Sequence, residues 1–254
     1  MHPVDLPAMR RAGRAAAQTL AVVARTLRPG MSTAELDALV RRDTARRGGR
    51  PSQLGYHGFP HAVCTSVNDV VCHGMPSRAV ILRPGDLINV DVTTELDGWH
   101  GDCSATFLLG DASPEARHVV DVARRCRDVG VAACRPGVRL GAIGAAIAAL
   151  ARAEGCAVVR EYGGHGIGRE MHLPPHVDHD SDADRGPVLR AGMALTVEPM
   201  INLGGAAVRT LADSWTVVTA DGSLSAQFEH TVVITADGAE IVTQGPAADG
   251  RRRR

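Results

Sequence analysis

All 28 of the strongly basic residues in this sequence are arginine, and lysine is absent. That absence excludes a Schiff-base lysine, a pyridoxal phosphate anchor, a phosphate-loop lysine and a Ser-Lys hydrolase. Net charge is also missing, because 28 acidic residues offset the arginines. Nothing in the charge balance therefore argues for nucleic acid or an anionic membrane as a partner. No run approaches the ~20 apolar residues that a membrane-spanning helix needs. The six cysteines form no C-x-x-C pair and no regular spacing, so they read as reduced thiols in a cytoplasmic protein. H-E-x-x-H, G-x-S-x-G and the deaminase motif do not occur, and the glycines around His165 do not follow G-x-G-x-x-G. Aromatic residues are scarce at three Phe, two Tyr and two Trp. Tyr56, Phe59, Trp99, Phe107, Tyr162 and Phe228 all lie close in sequence to the residues singled out below, which suggests a pocket lining.

What is present fits one α+β domain spanning residues 1–254, with a catalytic core at about 55–243 and an arginine-rich tail at 249–254. A length of 254 residues with 44% hydrophobic content allows a core large enough to bury a site. The apolar stretch from Ala15 to Ala24 is interrupted by Gln18 and Thr19, so it reads as part of an amphipathic helix over Met9 to Leu27 and not as a signal core. Ser32 with Glu35 forms a capping box that opens a second helix. A glycine-rich loop from Arg46 to Pro60 follows, then strand-like runs at Ala62 to Val67, Leu87 to Leu96 and Trp99 to Leu109. Ser113-Pro114 starts a third helix and Gly141 to Glu154 forms a fourth. Strands resume at Ala157 to Arg160, Met193 to Pro199, Val208 to Ala220, Gln227 to Ile234 and Glu240 to Val242. The order of two helices followed by strands thus occurs twice, which predicts pseudo-twofold halves with a site between them.

The pair of runs around Asp97-Gly98 predicts a hairpin with a two-residue turn. A turn closed by Leu96 and Trp99 places Asp91 opposite Ser104 and Thr93 opposite Asp102. Asp91 and Asp102 then lie diagonally on one face, ~7–8 Å apart at the backbone. Two carboxylates so placed repel unless a cation lies between them; a solvated polar face is the other reading of the hairpin taken alone. Glu198 and Glu229 interrupt mostly apolar strand-like segments, where an unpartnered carboxylate is costly. With His165 these four acids make a donor set suited to Mn, Fe, Co or Zn, unlike a thiolate zinc site or a calcium loop.

In order along the chain, Cys64-Thr65-Ser66-Val67-Asn68-Asp69-Val70-Val71-Cys72-His73-Gly74, Asn89-Val90-Asp91-Val92, Trp99-His100-Gly101-Asp102, Gly164-His165-Gly166-Ile167-Gly168, Val197-Glu198-Pro199-Met200 and Glu229-His230-Thr231 resemble the type I methionine aminopeptidases in their short bacterial form. The resemblance implies the pita-bread fold with a curved antiparallel sheet, and two divalent metal ions per chain. It makes Asp91 the chelating ligand of one metal, Asp102 and Glu229 bridges, and His165 with Glu198 ligands of the other. It gives Glu198 the proton transfer to the leaving amine, and gives His73 and His172 hydrogen bonds to the scissile amide and its oxyanion. It places Tyr56, Phe59, Cys64 and Trp215 around the methionine side chain. Gln53 and Met171 depart from the family pattern, which expects a small or sulfur-bearing residue and a phenylalanine there. His57, His61, His100, His118, His176, His179 and His230 read as surface or packing residues, with His57 nearest the pocket. The implied partners are N-termini of nascent polypeptides at the ribosome, acted on by a cytoplasmic monomer. The alternatives are a proline dipeptidase-like enzyme, which normally carries an extra N-terminal domain, and a non-catalytic binding module of the same fold, which would have lost ligands.

Overall fold

The computed structural model describes residues 4–245, so the arginine run at 249–254 lies outside the described residues. The chain opens with α1 (Leu6–Thr26), where the Asp5 carboxylate accepts from the Ala8 amide and Pro7 sits in the first turn. The predicted capping box opens α2 (Thr33–Arg46): Ser32 accepts from the Glu35 amide, and Glu35 accepts from the Ser32 amide at 2.7 Å. The loop beyond contains β1 (Arg50–Pro51) and a 3-10 turn at Tyr56–Gly58, and leads to β2 (Cys64–Val67) and β3 (Val70–Cys72).

The hairpin is β4 (Leu87–Leu96) and β5 (Trp99–Leu108), paired along its whole length, with Asp91 opposite Ser104 and Thr93 opposite Asp102 as the turn predicts. Asp97 at φ 54° and Gly98 at φ 75° give the turn both left-handed residues that a type I′ hairpin requires. On its other edge β4 meets β2, from Cys64↔Asp91 onward, and β1, through Pro51↔Thr94. The alanine-rich face of α1 packs over β4 and β5. Contact there is backbone to backbone: a Cβ on Gly101 would overlap Gly13 and Ala12.

The second half repeats the plan. Here α3 (Pro114–Ala133), capped by Ser113, packs with α4 (Gly141–Ala153). Strands β6 (Ala157–Val158), β7 (Gly164–Gly166), β8 (Leu173–Val177), β9 (Ala194–Val197), β10 (Met200–Asn202), β11 (Val208–Thr210), β12 (Val217–Thr219), β13 (Ser225–Gln227), β14 (His230–Ile234) and β15 (Ala239–Ile241) follow. They form a sheet in the order β15-β14-β9-β7-β8 and a smaller one in the order β13-β10-β6, while β12 pairs with β11 on one edge and with β3 of the first half on the other. A second seam joins the halves. The Thr231 hydroxyl donates to the Asp102 carbonyl at 2.8 Å and accepts from its amide at 3.0 Å, and the Glu229 amide donates to the Ser104 carbonyl at 3.1 Å. The main core, including Leu20, Leu36, Val90, Phe107, Ile143, Ile147 and Phe228, fills the space between helices and sheets.

The run Val208 to Ala220, read as one strand, is two. Asp213 accepts from the amides of Trp215 and Thr216 and from the Thr216 hydroxyl, and this turn folds β12 back on β11. Gln227 to Ile234 is likewise broken between β13 and β14. Strand β8 has no alternating apolar signal because Pro174 and Pro175 lie within it; it is tolerated as the edge of its sheet. All six cysteines are buried and none forms a disulfide. Among the described residues no helix is long and apolar enough to cross a membrane.

Candidate active site

A cavity of about 200 Å³ opens between the halves, lined by Gln53, Tyr56, Phe59, Cys64, His73, Asp91, Thr93, Asp102, His165, Met171, His172, Glu198 and Trp215. Every metal, catalytic and substrate residue expected from the sequence is in that lining except Glu229, which lies beneath it, 1% exposed. The hairpin supplies Asp91 and Asp102, β7 supplies His165, and Glu198 and Glu229 follow the ends of β9 and β13.

Local hydrogen bonds aim each group. Asp102 Oδ1 accepts from the Thr93 hydroxyl at 2.8 Å, so the residue opposite it on β4 fixes its rotamer. His165 lies 3.0 Å through Nδ1 from the Gly166 carbonyl. A carbonyl only accepts, so Nδ1 carries the proton and the Nε2 lone pair faces Asp102 Oδ2 at 3.9 Å and Glu198 Oε1 at 3.5 Å. Glu198 accepts from the Thr196 hydroxyl at 2.6 Å on one oxygen and from Gln227 Nε2 at 3.2 Å on the other. Its amide donates to Nε2 of His179 at 3.2 Å, so the buried His179 is a packing residue directly behind the site.

The acids are in an environment that resists their ionisation. Burial, with repulsion from Asp102, pushes Glu198 up to about 8, and burial raises Asp102 to about 6 despite the Thr93 bond. Asp91 and Glu229 rise well above the carboxylate range, through burial first and then their acidic neighbours. Burial together with the nearby His172 holds His165 down to about 3. A cation among these groups would reverse the shifts of the acids and stabilise their charged forms. Two oxygens in particular lack a partner: Asp91 Oδ1 and Glu229 Oε1 are buried and make no hydrogen bond. Donor atoms of Asp102, His165 and Glu229 already lie within 4.8 Å of one another. The set therefore fits divalent metal.

The apolar wall stands beside the donors. Phe59 and Trp215 meet edge to face with ring centroids 5.0 Å apart, and Trp215 also borders His73 at 6.3 Å. The Tyr56 hydroxyl lies 2.8 Å from His172 Nδ1, leaving Nε2 for the cavity. Closeness in sequence misleads for the other aromatics: Phe107 and Phe228 are fully buried in the main core, and Trp99 packs with Met9 and Ile167 in a second cluster. Sequence reading also passes over Thr196 and Gln227. Thr196 is legible in principle, because a residue two before Glu198 shares its strand face, whereas Gln227 reaches Glu198 only through the pairing of β13 with β10.

The model of metallopeptidase family M24 matches residues 7–236, and the chain belongs to that family. Within it, the curated relatives include methionine aminopeptidase A of Synechocystis sp., 47% identical over 241 residues and 95% of each chain. The methionine aminopeptidase of Escherichia coli K12 is 45% identical over 242 residues, 95% of this chain and 92% of its own. Among solved structures, the methionine aminopeptidase from Rickettsia prowazekii superposes with a TM-score of 0.94 at 41% identity, covering 96% of this chain and 100% of its own. The fold is the pita-bread fold.

Proposed function

We propose that this chain removes the N-terminal methionine from newly made polypeptides, using two divalent cations held by Asp91, Asp102, His165, Glu198 and Glu229. The observation that carries the reading is one cavity in which a metal-type donor set and a wall of Tyr56, Phe59, Cys64 and Trp215 face each other. When bound, such cations bring the ionisation of a water toward neutral pH and stabilise charge on a carbonyl oxygen. Asp102 and Glu229 would be shared between the two cations, Asp91 would hold one, and His165 with Glu198 would hold the other. The wall takes a methionine side chain, for which an apolar, polarizable surface is apt. His172, oriented by Tyr56, presents Nε2 to the scissile amide, and His73, which lines the cavity beside Trp215, gives the substrate a second hydrogen bond. Glu198, held by Thr196 and Gln227, passes a proton from the attacking water to the leaving amine. Which of Mn, Fe, Co or Zn serves is decided by the metal supply as much as by these donors.

Acting as one catalytic domain and as a monomer in the cytoplasm is part of the same proposal. Buried, unbridged cysteines support the compartment. Only Leu54, Val80 and Ile81 are large exposed apolar residues among the described ones, which supports the monomer. The test is hydrolysis of Met-Ala-Ser against Ala-Pro peptides with Mn, Fe, Co, Zn and a chelator. The proposal expects metal-dependent release of methionine from the first and no cleavage of the second; preference for Ala-Pro would turn the reading to a proline dipeptidase-like enzyme.

A further inference from the structure

Between the end of β1 at Pro51↔Thr94 and the start of β2 at Cys64↔Asp91, the edge of β4 has no strand beside it. The backbone groups facing that gap belong to the segment that carries Asp91. They are not left open. Gln53 Nε2 donates to the Asp91 carbonyl at 3.0 Å, and the Thr93 amide donates to Gln53 Oε1 at 3.4 Å. One carboxamide thus supplies the donor and the acceptor that a neighbouring strand would offer to successive groups along this edge. The main chain leads it there, because the Ser52 amide donates to the Thr93 carbonyl at 3.0 Å. Gln53 is only 7% exposed, so water does not take over these bonds readily.

We propose that Gln53 is a positioning residue of the metal centre, its carboxamide replacing the missing strand beside Asp91 and Thr93. Asp91 is one donor of the site, and Thr93 sets the rotamer of a second through its hydroxyl on Asp102. The Gln53 carbonyl also accepts from the Tyr56 amide at 3.0 Å, which ties the same residue to the turn that orients His172. A glutamine is long enough to reach the strand from the loop; a small or sulfur-bearing residue at this position could fill the wall but could not make both bonds. The departure at position 53 is therefore a substitution that adds a function, tying the hairpin's ligand segment to the turn that carries Tyr56.

The inference rests on the proposed function only in taking Asp91 and Asp102 as metal ligands, and its test separates the two. Metal-stripped full-length wild type, Gln53→Met and Gln53→Asn are titrated with Mn(II) by calorimetry, with thermal unfolding as a check of folding. Methionine keeps the length and volume without hydrogen bonds, and asparagine keeps the polarity but falls one methylene short. Both should bind Mn(II) about 10–100-fold more weakly than wild type, as is usual when a group supporting a ligand is lost. Met171→Phe, which alters the cavity lining at another position, should leave Mn(II) affinity unchanged while shifting KM for Met-Ala-Ser. If wild type and either folded Gln53 variant bind Mn(II) alike, Gln53 is a wall residue only and the inference is overturned. Wild type that binds no divalent cation overturns the functional reading itself.

Discussion

Glu198 receives two hydrogen bonds and yet resists ionisation, because burial and the nearby Asp102 outweigh the Thr196 and Gln227 donors. Glu198→Gln removes the charge without changing volume. It should abolish methionine release and leave the far-UV and near-UV circular dichroism unchanged; an active variant would remove Glu198 from the reaction. His172 bonds to Tyr56 and packs edge to face on His165, with ring centroids 4.2 Å apart, but meets no carboxylate. His172→Ala should therefore lower the rate by about 10²–10³, the usual loss of one positioned donor, with Mn(II) affinity nearly kept. Equal loss of both would place His172 among the ligands. At this scale the sequence is most informative where chemistry is rare: a carboxylate in an apolar strand is costly, so Glu198 and Glu229 stand out. It is least informative where a common residue takes its role from a distant partner, as Gln227, His179 and Gln53 do.

The hairpin is the element most legible in the sequence, since its two-residue turn fixes the register and the register fixes which side chains share a face. The second half is less so. Its site residues come from short strands whose order depends on pairings far apart in sequence, and prolines conceal β8. The hairpin is also shaped by its neighbour: Gly101, next to Asp102, is where α1 presses its backbone against β5 at Gly13. A methyl group there meets main chain, which yields less than a side-chain tip. Gly101→Ala should lower stability by about 1–3 kcal/mol and loosen the Asp102 segment, read as a lower Tm and weaker metal binding. An unchanged Tm would mean that α1 shifts at no cost.

Across the whole molecule, the buried acids make the metal-free protein sensitive to pH. A carboxylate whose pKa is raised by folding favours the folded state below its unfolded pKa, and that favour is lost as pH rises through the folded value. Glu198 moves from 4.5 to about 8, and His165, held down to about 3, gives an opposing gain in stability that is complete only about one unit above the ordinary imidazole value of 6.5. Between about 7.5 and about 8 the metal-free protein should therefore lose Tm as pH rises, and saturating Mn(II) should remove the slope. A metal-free Tm independent of pH in this window would show that the acids are already neutralised by other means. If these donors hold cations that drive release of one methionine, mass spectrometry of Met-Ala-Ser during stepwise return of Mn, Fe, Co or Zn to chelated protein should show it. No cleavage is expected in the chelated sample, then loss of a single methionine with Ala-Ser left intact as metal is restored. Cleavage by the metal-free protein, or none with any of the four metals, would contradict it.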